Sequence, residues 1–402
     1  MSRMLVVLLV CVTVFAANIS TASEMPRFET RVLDPNAGNI CYAVTAADVD
    51  GDKRQDVVVV TENRVLWYQN PDWKPWVIIA DQTERDNVCI APLDIDGDGQ
   101  VDFALGAGWT KVGTIQWLAR GKSLDDKWSV YSIGKEGWTH RLRFGDILGT
   151  GKPQLVVSPL NKTVSEKGVR LTAFEIPADP RTQAWRATVL DESLNAMHNH
   201  WMGDLDGDGH GDVVTASQDG VFLFRKTAAG IAKTQLAAGA ESLPAPVDPA
   251  NAKNRGNGEI KVGKLKNGQK FLATVGPMHG SAAIIYTQPK DGELWTAHAL
   301  DRTLNRGHAV GVGDFDGDGT DEVVIGHSDK GTAPTVGPGL YVYRATDDAG
   351  TTWERQILDD GGIATEDLVV EDFNGDGRPD IAACGRATHN VKLYLTLPTK
   401  SR

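Results

Sequence analysis

The sequence predicts an all-β fold, a seven-bladed β-propeller with four-stranded blades that form a closed ring. Three observations predict it: an acidic loop motif that recurs along the chain, short strand-like runs around each copy, and an N-terminal run that copies a C-terminal one. The copies begin at positions 48, 94, 146, 204, 264, 314 and 372, so the spacing varies from 46 to 60 residues. A period in this range is typical of propellers and repeat arrays.

The clearest copy of the motif is Gly203–Asp212, with the sequence GDLDGDGHGD. Its aspartates stand at positions one, three, five and nine of the loop, the spacing of the oxygen ligands of a hard divalent cation. Gly207 and Gly209 allow the sharp turn that points the carboxylates inward. Five loops of this kind predict up to five calcium ions. The predicted calcium ligands are Asp48, Asp50, Asp52, Asp56, Asp94, Asp96, Asp98, Asp102, Asp204, Asp206, Asp208, Asp212, Asp314, Asp316, Asp318, Glu322, Asp372, Asn374, Asp376 and Asp380.

Two further copies keep the frame of the motif and have lost its ligands. The copy at Phe144–Leu155 retains only Asp146, and the copy at Val262–Leu272 has Lys264 in place of the first aspartate. Without a set of carboxylates, neither loop is expected to hold an ion.

Each repeat contains four strand-like runs in the same order. A small, apolar run precedes the loop, a second run follows it, a third carries an aromatic residue near its end, and a fourth usually begins with tryptophan. The missing fourth run lies at the other end of the chain, because Phe28–Asp34 (FETRVLD) copies Trp353–Asp359 (WERQILD). We expect the N-terminal segment to be the outer strand of the last blade. It would close the ring and remove exposed sheet edges.

The first 22 residues predict a secretory signal peptide. Arg3 precedes an apolar run from Leu5 to Ala17, and small residues follow as far as Ser23. The run is too short to span a membrane, and the alternative is a buried N-terminal strand. Residues 27–398 are then a single propeller domain, and the protein is expected to be secreted or periplasmic, without a transmembrane segment in the mature chain.

Charge and cysteine content narrow the possible partners. The net charge is −12, with 53 acidic against 41 basic residues, which argues against binding to nucleic acid or anionic membranes. Three cysteines follow the predicted signal peptide, too few for a disulfide framework. A single disulfide bridge could join Cys41 and Cys384, because their repeats would be neighbours in a closed ring.

The repeats resemble FG-GAP or VCBS repeats, which build the seven-bladed propeller of integrin α chains and occur in many bacterial exported proteins. The resemblance covers essentially the whole mature chain. Propellers host binding, scaffolding and catalysis alike, so the fold does not define the function. The functional residues are therefore sought at the axis of the ring.

The residue six positions before the first loop aspartate opens the innermost strand of each blade. Three of these seven residues are histidines and one is a glutamate, although the chain has only nine histidines. The seven residues are Tyr42, Val88, His140, His198, Gly258, His308 and Glu366. A packing position would not show this composition. We predict that His140, His198 and His308 bind a transition metal, with Glu366 as a fourth ligand or a general base.

Polar residues are also dense in the same strands and in the turns after the second strands, which reach the same end of the ring. The residues predicted to move protons or to stabilise negative charge are Glu366, His200, Arg141 and Lys261, with Glu259 and Asp367 in the surrounding shell. The residues predicted to contact a substrate are Trp109, His279, His327, Arg386 and His389. The alternative interpretation makes the turn histidines solvated surface residues and Trp109 a packing residue.

A second resemblance is to the propeller of the fungal aldos-2-ulose dehydratases, through WTHRLRFGD, HNHWMGDLDGDG and GHAVGVGDFDGDG. It implies a catalytic zinc in the channel and elimination of water or an alkoxide from a sugar that carries a carbonyl group. The alternative is a non-catalytic, calcium-stabilised propeller that binds glycan or protein ligands on the same face. A purely structural cell-surface repeat would leave the histidines in register unexplained.

Overall fold

The computed structural model describes residues 24–110, 112–163, 167–239, 255–289, 292–331 and 337–398. These residues form 28 strands in seven antiparallel sheets of four strands each, arranged in a ring. This confirms the predicted all-β, seven-bladed β-propeller. The described residues contain no helix, and therefore no helix able to cross a membrane. The predicted signal peptide, residues 1–22, lies outside the described part of the chain.

We number the blades one to seven in the order of their inner strands, which line the channel. The inner strands are β2 (Cys41–Ala47), β6 (Cys89–Leu93), β10 (Thr139–Gly145), β14 (Met197–Gly203), β18 (Lys261–Lys264), β22 (Gly307–Gly313) and β26 (Thr365–Glu371). The second strands are β3 (Asp56–Thr61), β7 (Asp102–Ala107), β11 (Gln154–Pro159), β15 (Asp212–Ser217), β19 (Lys270–Gly276), β23 (Glu322–His327) and β27 (Asp380–Gly385).

The third and outer strands complete each sheet. The third strands are β4 (Arg64–Gln69), β8 (Thr114–Ala119), β12 (Leu171–Glu175), β16 (Gly220–Thr227), β20 (Ala282–Thr287), β24 (Gly339–Ala345) and β28 (Val391–Leu397). The outer strands are β5 (Lys74–Ala80), β9 (Ser129–Lys135), β13 (Arg186–Asp191), β17 (Gly230–Ala237), β21 (Thr296–Asp301), β25 (Trp353–Asp360) and, for blade seven, β1 (Arg27–Asp34).

The N-terminal strand closes the ring. β1 pairs antiparallel with β28, so that Arg27 lies opposite Leu397 and Arg31 opposite Leu393. The inner strands of blades one and seven also pack against each other. The first and last parts of the chain thus share one sheet, as the copied run at Phe28–Asp34 predicts.

The core lies between neighbouring blades. The second strands are buried along almost their whole length because an adjacent blade covers each of their faces; all six residues of β3 are buried, for example. Aromatic side chains of the third strands, such as Trp117, fill the space between sheets together with Leu142 and Phe174 of the next blade. Sheets packed in this way hold the inner strands, and thus the channel-lining side chains, in fixed positions.

Cys41 and Cys384 are buried in one apolar cluster between blades one and seven, and both carry free thiols. Burial raises the pKa of Cys41 to about 12 and the pKa of Cys384 well above its usual value. The bridge that the sequence left open is not formed in this structure.

The two ends of the ring differ. We call the end at which the inner strands begin the histidine end, and the end at which they finish, where the acidic loops follow, the loop end. In the loop after β14, Gly207 and Gly209 have φ values of +83° and +84°, a conformation that glycine adopts without strain.

Candidate metal centre and channel

Three imidazoles converge at the histidine end of the channel, those of His198, His279 and His308. One ring nitrogen of each lies within 4.8 Å of the nitrogens of the other two. The Nε2 atoms of His198 and His279 are 2.5 Å apart. The rings of His279 and His308 are parallel, with their centroids 4.8 Å apart. We call these three residues the histidine trio.

Burial makes the histidine trio neutral. It lowers the pKa of His279 and that of His308 to about 3, and it lowers the pKa of His198 well below the usual value. Repulsion between the neighbouring imidazoles adds to the effect for His198 and His279. Each ring therefore keeps an unprotonated nitrogen at neutral pH. An unprotonated imidazole nitrogen is the form that binds a metal ion.

Oxygen atoms lie behind two rings of the trio, and a hydrogen bond to one of them selects the tautomer of His308. The Nδ1 atom of His308 lies 2.5 Å from the carbonyl oxygen of Glu366. A carbonyl oxygen only accepts, so Nδ1 carries the proton and Nε2 keeps its lone pair. The Nδ1 atom of His198 lies 2.8 Å from Oε1 of Glu259, although off the angle of a hydrogen bond. Acceptors behind the rings are the usual second layer of a histidine metal site.

The trio comes from three successive blades; two of its residues lie in inner strands and the third lies in a turn. His198 and His308 are the second residues of β14 and β22, but His279 lies in the turn after β19. Blade five has Gly258 at the register position that His198 and His308 occupy. A β-carbon on Gly258 would lie 3.2 Å from the backbone nitrogen of His279. The missing side chain therefore makes room for the turn that brings His279 to the axis.

His140, which the sequence groups with His198 and His308, lies beside the histidine trio and not within it. Its Nδ1 atom is 2.8 Å from the carbonyl oxygen of His198, and the two ring centroids are 4.5 Å apart. Its ring also contacts Trp109 at 5.8 Å. The structure places His279, which the sequence predicts as a substrate contact, in the position expected for His140.

Glu366 lies at the edge of the trio and has one free oxygen. Its Oε1 atom accepts a hydrogen bond from Arg386 at 2.6 Å and lies 3.8 Å from Nε2 of His308. Its Oε2 atom is buried and has no partner among the described residues. Arg386 is itself placed over the ring of Tyr42 at 5.1 Å. Glu366 is thus fixed at one oxygen and available at the other, as a general base or a further ligand requires.

A polar layer connects the trio with the rest of the channel. Glu259 faces His198 and accepts from Arg141 at 3.3 Å and from Asn199. The side-chain oxygen of Asn199 accepts from Arg143 at 3.2 Å. Arg141 and Glu259 are both almost fully buried. Arg141 therefore acts on the trio through Glu259.

The remaining predicted residues take other positions. His200 is buried, its Nδ1 atom 2.8 Å from the hydroxyl of Ser158, and burial lowers its pKa well below the usual value. His327 contacts Tyr341 and the carbonyl oxygen of Asp329 within blade six. His389 lies in the turn after β27, half-buried. The described contacts of His327 do not include the trio.

A second feature of the channel is a cavity of about 440 Å³ on the loop-end side of the trio. Its lining residues come after the aligned histidines along the inner strands: Arg141 and Arg143 follow His140, Trp201 follows His198, and Gly311 follows His308. Lys261 and Asp367 also line it. Lys261, predicted as a charge-stabilising residue, thus faces this cavity.

Two family models match the chain. The model of the aldos-2-ulose dehydratase β-propeller domain matches residues 112–289. The model of the FG-GAP-like repeat matches residues 48–105 and 314–383. The chain is thus a seven-bladed propeller in which these residues match FG-GAP-like repeats. It is similar to the aldos-2-ulose dehydratase of Phanerodontia chrysosporium, with 25% identity over 315 residues.

The alignment with that relative covers 73% of this chain and 34% of the relative, so the propeller spans about a third of the relative's length. The segment that matches the dehydratase propeller model contains His198 and His279 of the trio and ends before His308. The match thus includes blades three and four and the first three strands of blade five, and so the parts of the chain that supply His198 and His279.

At the loop end of the propeller, carboxylates gather in four of the five acidic loops. In each, the residues at positions one, three and nine have carboxylate oxygens within 4.8 Å of one another. The four groups are Asp48, Asp50 and Asp56; Asp94, Asp96 and Asp102; Asp204, Asp206 and Asp212; Asp314, Asp316 and Glu322. The residue at position five instead accepts from a backbone N–H two residues later, as Asp98 does from Gln100 at 2.9 Å.

Among the loop carboxylates, the largest shifts of the pKa occur at the buried position nine. Burial and the neighbouring loop carboxylates raise the pKa of Asp56 to about 7 and that of Glu322 to about 9. Glu322 is fully buried, and its Oε1 atom has no partner among the described residues. A bound cation would neutralise these groups and satisfy the free oxygen, so the residues fit the predicted calcium ion.

In the degenerate loop of blade three, a neutral side chain stands where the other loops have a buried carboxylate. Its position nine is Gln154, whose amide donates to Asp146 at 3.1 Å. A neutral donor from the chain therefore takes the place that a cation would have. The fifth acidic loop, at Asp372, has an asparagine at position three and shows the same backbone geometry, with Gly375 donating to Asp372 at 2.7 Å.

Sequence reasoning missed the role of His279 and the partners Arg143 and Ser158. A signal for His279 was present, because Gly258 breaks the row of side chains at the register position and a histidine follows in the turn of the same blade. No signal in one sequence marks Ser158, since its contact with His200 depends on how blades three and four pack.

Proposed function

We propose that this propeller is a metal-dependent, carbohydrate-active lyase or dehydratase, with zinc held by His198, His279 and His308. The observation that carries the proposal is the convergence of three neutral imidazoles within 4.8 Å, with acceptors behind two of them. Three protein ligands and an open position are typical of catalytic zinc. The similarity to an aldos-2-ulose dehydratase directs the proposal to sugars that carry a carbonyl group.

A zinc ion in this position would act as a Lewis acid on the sugar carbonyl and acidify the adjacent C–H bond. The chain's own residues then divide the remaining work. Glu366 takes the proton at Oε2, the electron pair of the C–H bond forms a double bond, and the neighbouring C–O bond breaks. The departing hydroxide takes the proton back from Glu366 and leaves as water, so the carboxylate is regenerated.

Other residues position this machinery. Arg386 holds Oε1 of Glu366, which leaves Oε2 as the free base. Arg141 holds Glu259, which lies behind His198. Trp109 and Trp138, whose ring centroids are 5.5 Å apart, provide apolar faces beside His140 for a sugar ring. His200 takes no part as a base in this proposal, because it faces Ser158.

We further propose that the acidic loops hold calcium, in up to five sites, and stabilise the ring. The crowding of buried carboxylates supports the proposal, above all at Glu322. We also propose that the protein is secreted or periplasmic, on the character of residues 1–22.

The test combines metal analysis with an assay of elimination. Protein purified without a histidine tag is analysed by plasma mass spectrometry and incubated with a set of aldos-2-uloses, and the unsaturated product is followed by its ultraviolet absorbance. About one zinc per chain together with product formation supports the proposal. Calcium alone, with glycan binding and no product, would instead support the non-catalytic propeller.

A further inference from the structure

We propose that the cavity on the loop-end side of the histidine trio is a separate binding site for a small organic carboxylate of about the size of a sugar acid. Three cations line this cavity: Arg141, Arg143 and Lys261. We call it the cationic chamber. The site is independent of the proposed elimination reaction, which takes place at the trio.

The charges of the chamber do not balance. Of its three cations, only Arg141 has a carboxylate partner among the described residues, Glu259 at 3.3 Å. Arg143 donates to two neutral oxygens, the carbonyl of Leu142 and the amide of Asn199, each at 3.2 Å. The ammonium group of Lys261 makes no ion pair or hydrogen bond within the described part of the chain. Arg143 and Lys261 are half-buried, and removing a cation partly from water without a carboxylate partner costs stability unless an anion joins it.

Asp367 is the one acidic residue among those that line the chamber, and its carboxylate already accepts a hydrogen bond. Asp367 accepts from the backbone nitrogen of Val44 at 3.1 Å, and no described cation lies within 4.0 Å of its carboxylate. The chamber therefore has three positive groups and one negative group on its wall. This leaves a net positive charge for a bound monoanion after Glu259 has neutralised Arg141.

The crowding of the cations is consistent with this imbalance. Burial, and then repulsion by Arg143, lower the pKa of Lys261 to about 8. Burial and the charge of Arg141 lower the pKa of Arg143. A carboxylate between Arg143 and Lys261 would relieve both effects, since charge-assisted hydrogen bonds from guanidinium and ammonium groups are the strongest that a protein offers to such an anion.

The size and the apolar part of the wall define the rest of the ligand. A volume of about 440 Å³ lies within the range of small-molecule sites and admits one six-membered ring with its substituents. Phe144, Trp201 and Leu368 line the chamber together with the cations. A ligand with one anionic group and a ring with apolar faces matches this wall.

The experiment measures binding of D-glucuronate by calorimetry, with D-glucose as the neutral control. We expect saturable binding of glucuronate and at least tenfold weaker binding of glucose, because only the carboxylate pairs with the two cations. Equal binding of the two sugars, or no binding of glucuronate, overturns the proposal. This arm uses the unmodified protein and needs no variant to fold.

Variants locate the site. Lys261→Met and Arg143→Met should each weaken glucuronate binding about tenfold or more, whereas Lys226→Met, which removes an exposed cation of β16, should leave it unchanged. In the absence of ligand, Lys261→Met should also raise the melting temperature, because it removes one of the crowded charges. Unchanged glucuronate binding in both chamber variants contradicts the proposal.

A further variant separates the chamber from the trio, since a carboxylate could also bind a metal there. His279→Ala should keep its affinity for glucuronate even if it loses zinc. Loss of glucuronate binding in His279→Ala, with binding retained in Lys261→Met, would place the anion at the trio and overturn the proposal without affecting the proposed function.

Discussion

The histidine end and the loop end of the inner strands offer opposite kinds of ligand. The histidine trio consists of neutral imidazoles; His198 and His308 are buried and held by strands, and His279 is half-buried in a turn. The acidic loops consist of carboxylates from positions one and three of a turn, which are half-buried or exposed, and a buried acid at position nine. Nitrogen ligands suit zinc and oxygen ligands suit calcium, so one strand can connect two sites of different selectivity.

The difference also shows how each site is built. A loop site is local: its ligands are at most eight positions apart, and the turn alone brings them together. The trio is assembled from blades four, five and six, and His198 and His308 lie 110 positions apart in the sequence. Its geometry therefore depends on the closed ring. Each of the following experiments perturbs one end and examines whether the other responds.

The largest effect is expected at the trio. His198→Ala should remove bound zinc and lower the rate of elimination by more than about a hundredfold, since the loss of an outer partner of a ligand alone costs 10- to 100-fold. Calcium content should not change. The matched control is His140→Ala, the neighbouring imidazole outside the trio, which should retain zinc. Zinc lost in His140→Ala and kept in His279→Ala would restore the set predicted from the sequence.

Glu366→Gln should lower kcat by about 10²- to 10⁴-fold, because the amide cannot accept the proton at the position of Oε2. Zinc should stay bound, and this separates the role of Glu366 from that of the trio. Steady-state kinetics with parallel zinc analysis measures both. A kcat equal to that of the wild type at full zinc occupancy would remove Glu366 from the chemistry.

At the loop end, Asp206→Ala should lower calcium content and the calcium-dependent part of the thermal stability while zinc and kcat are retained. A cation at a hundredfold its Kd stabilises a fold by about 2.7 kcal/mol, so the melting temperature should fall by a few degrees. Thr150→Ala in the degenerate loop of blade three is the control, and its calcium content should equal that of the wild type. If chelation of calcium leaves the melting temperature of the wild type unchanged, the loops are not ion sites.

The smallest effect tests how blade five contributes to the trio. Gly258→Ala adds a β-carbon 3.0 Å from Cγ2 of Val275 and 3.2 Å from the backbone nitrogen of His279. Overpacking of this kind typically costs about 1–3 kcal/mol. We expect zinc affinity to fall about tenfold as the turn shifts, with calcium content unchanged. A lower melting temperature with unchanged zinc affinity would limit Gly258 to a structural role.

Much of the fold follows from the sequence because its signals are local. The loop spacing, the order of the four strands and the copy of Trp353–Asp359 at Phe28–Asp34 are patterns within short segments, and together they predict the closed ring. The register of the inner strands likewise predicts that His198 and His308 meet at the axis. The same register places His140 and Glu366 near them.

Only the tertiary structure decides the third member of the trio and the contents of the channel. The register of the inner strands predicts the height of a residue along the channel. It does not predict whether a turn of the same blade also reaches the axis. His279 does so because Gly258 leaves space, and His140 instead binds the backbone of His198. The pairing of Arg141 with Glu259, and the lack of a carboxylate partner for Arg143 and Lys261 among the described residues, depend on packing between blades three, four and five. Such contacts join residues about 60 to 120 positions apart, and no local pattern in the sequence encodes them.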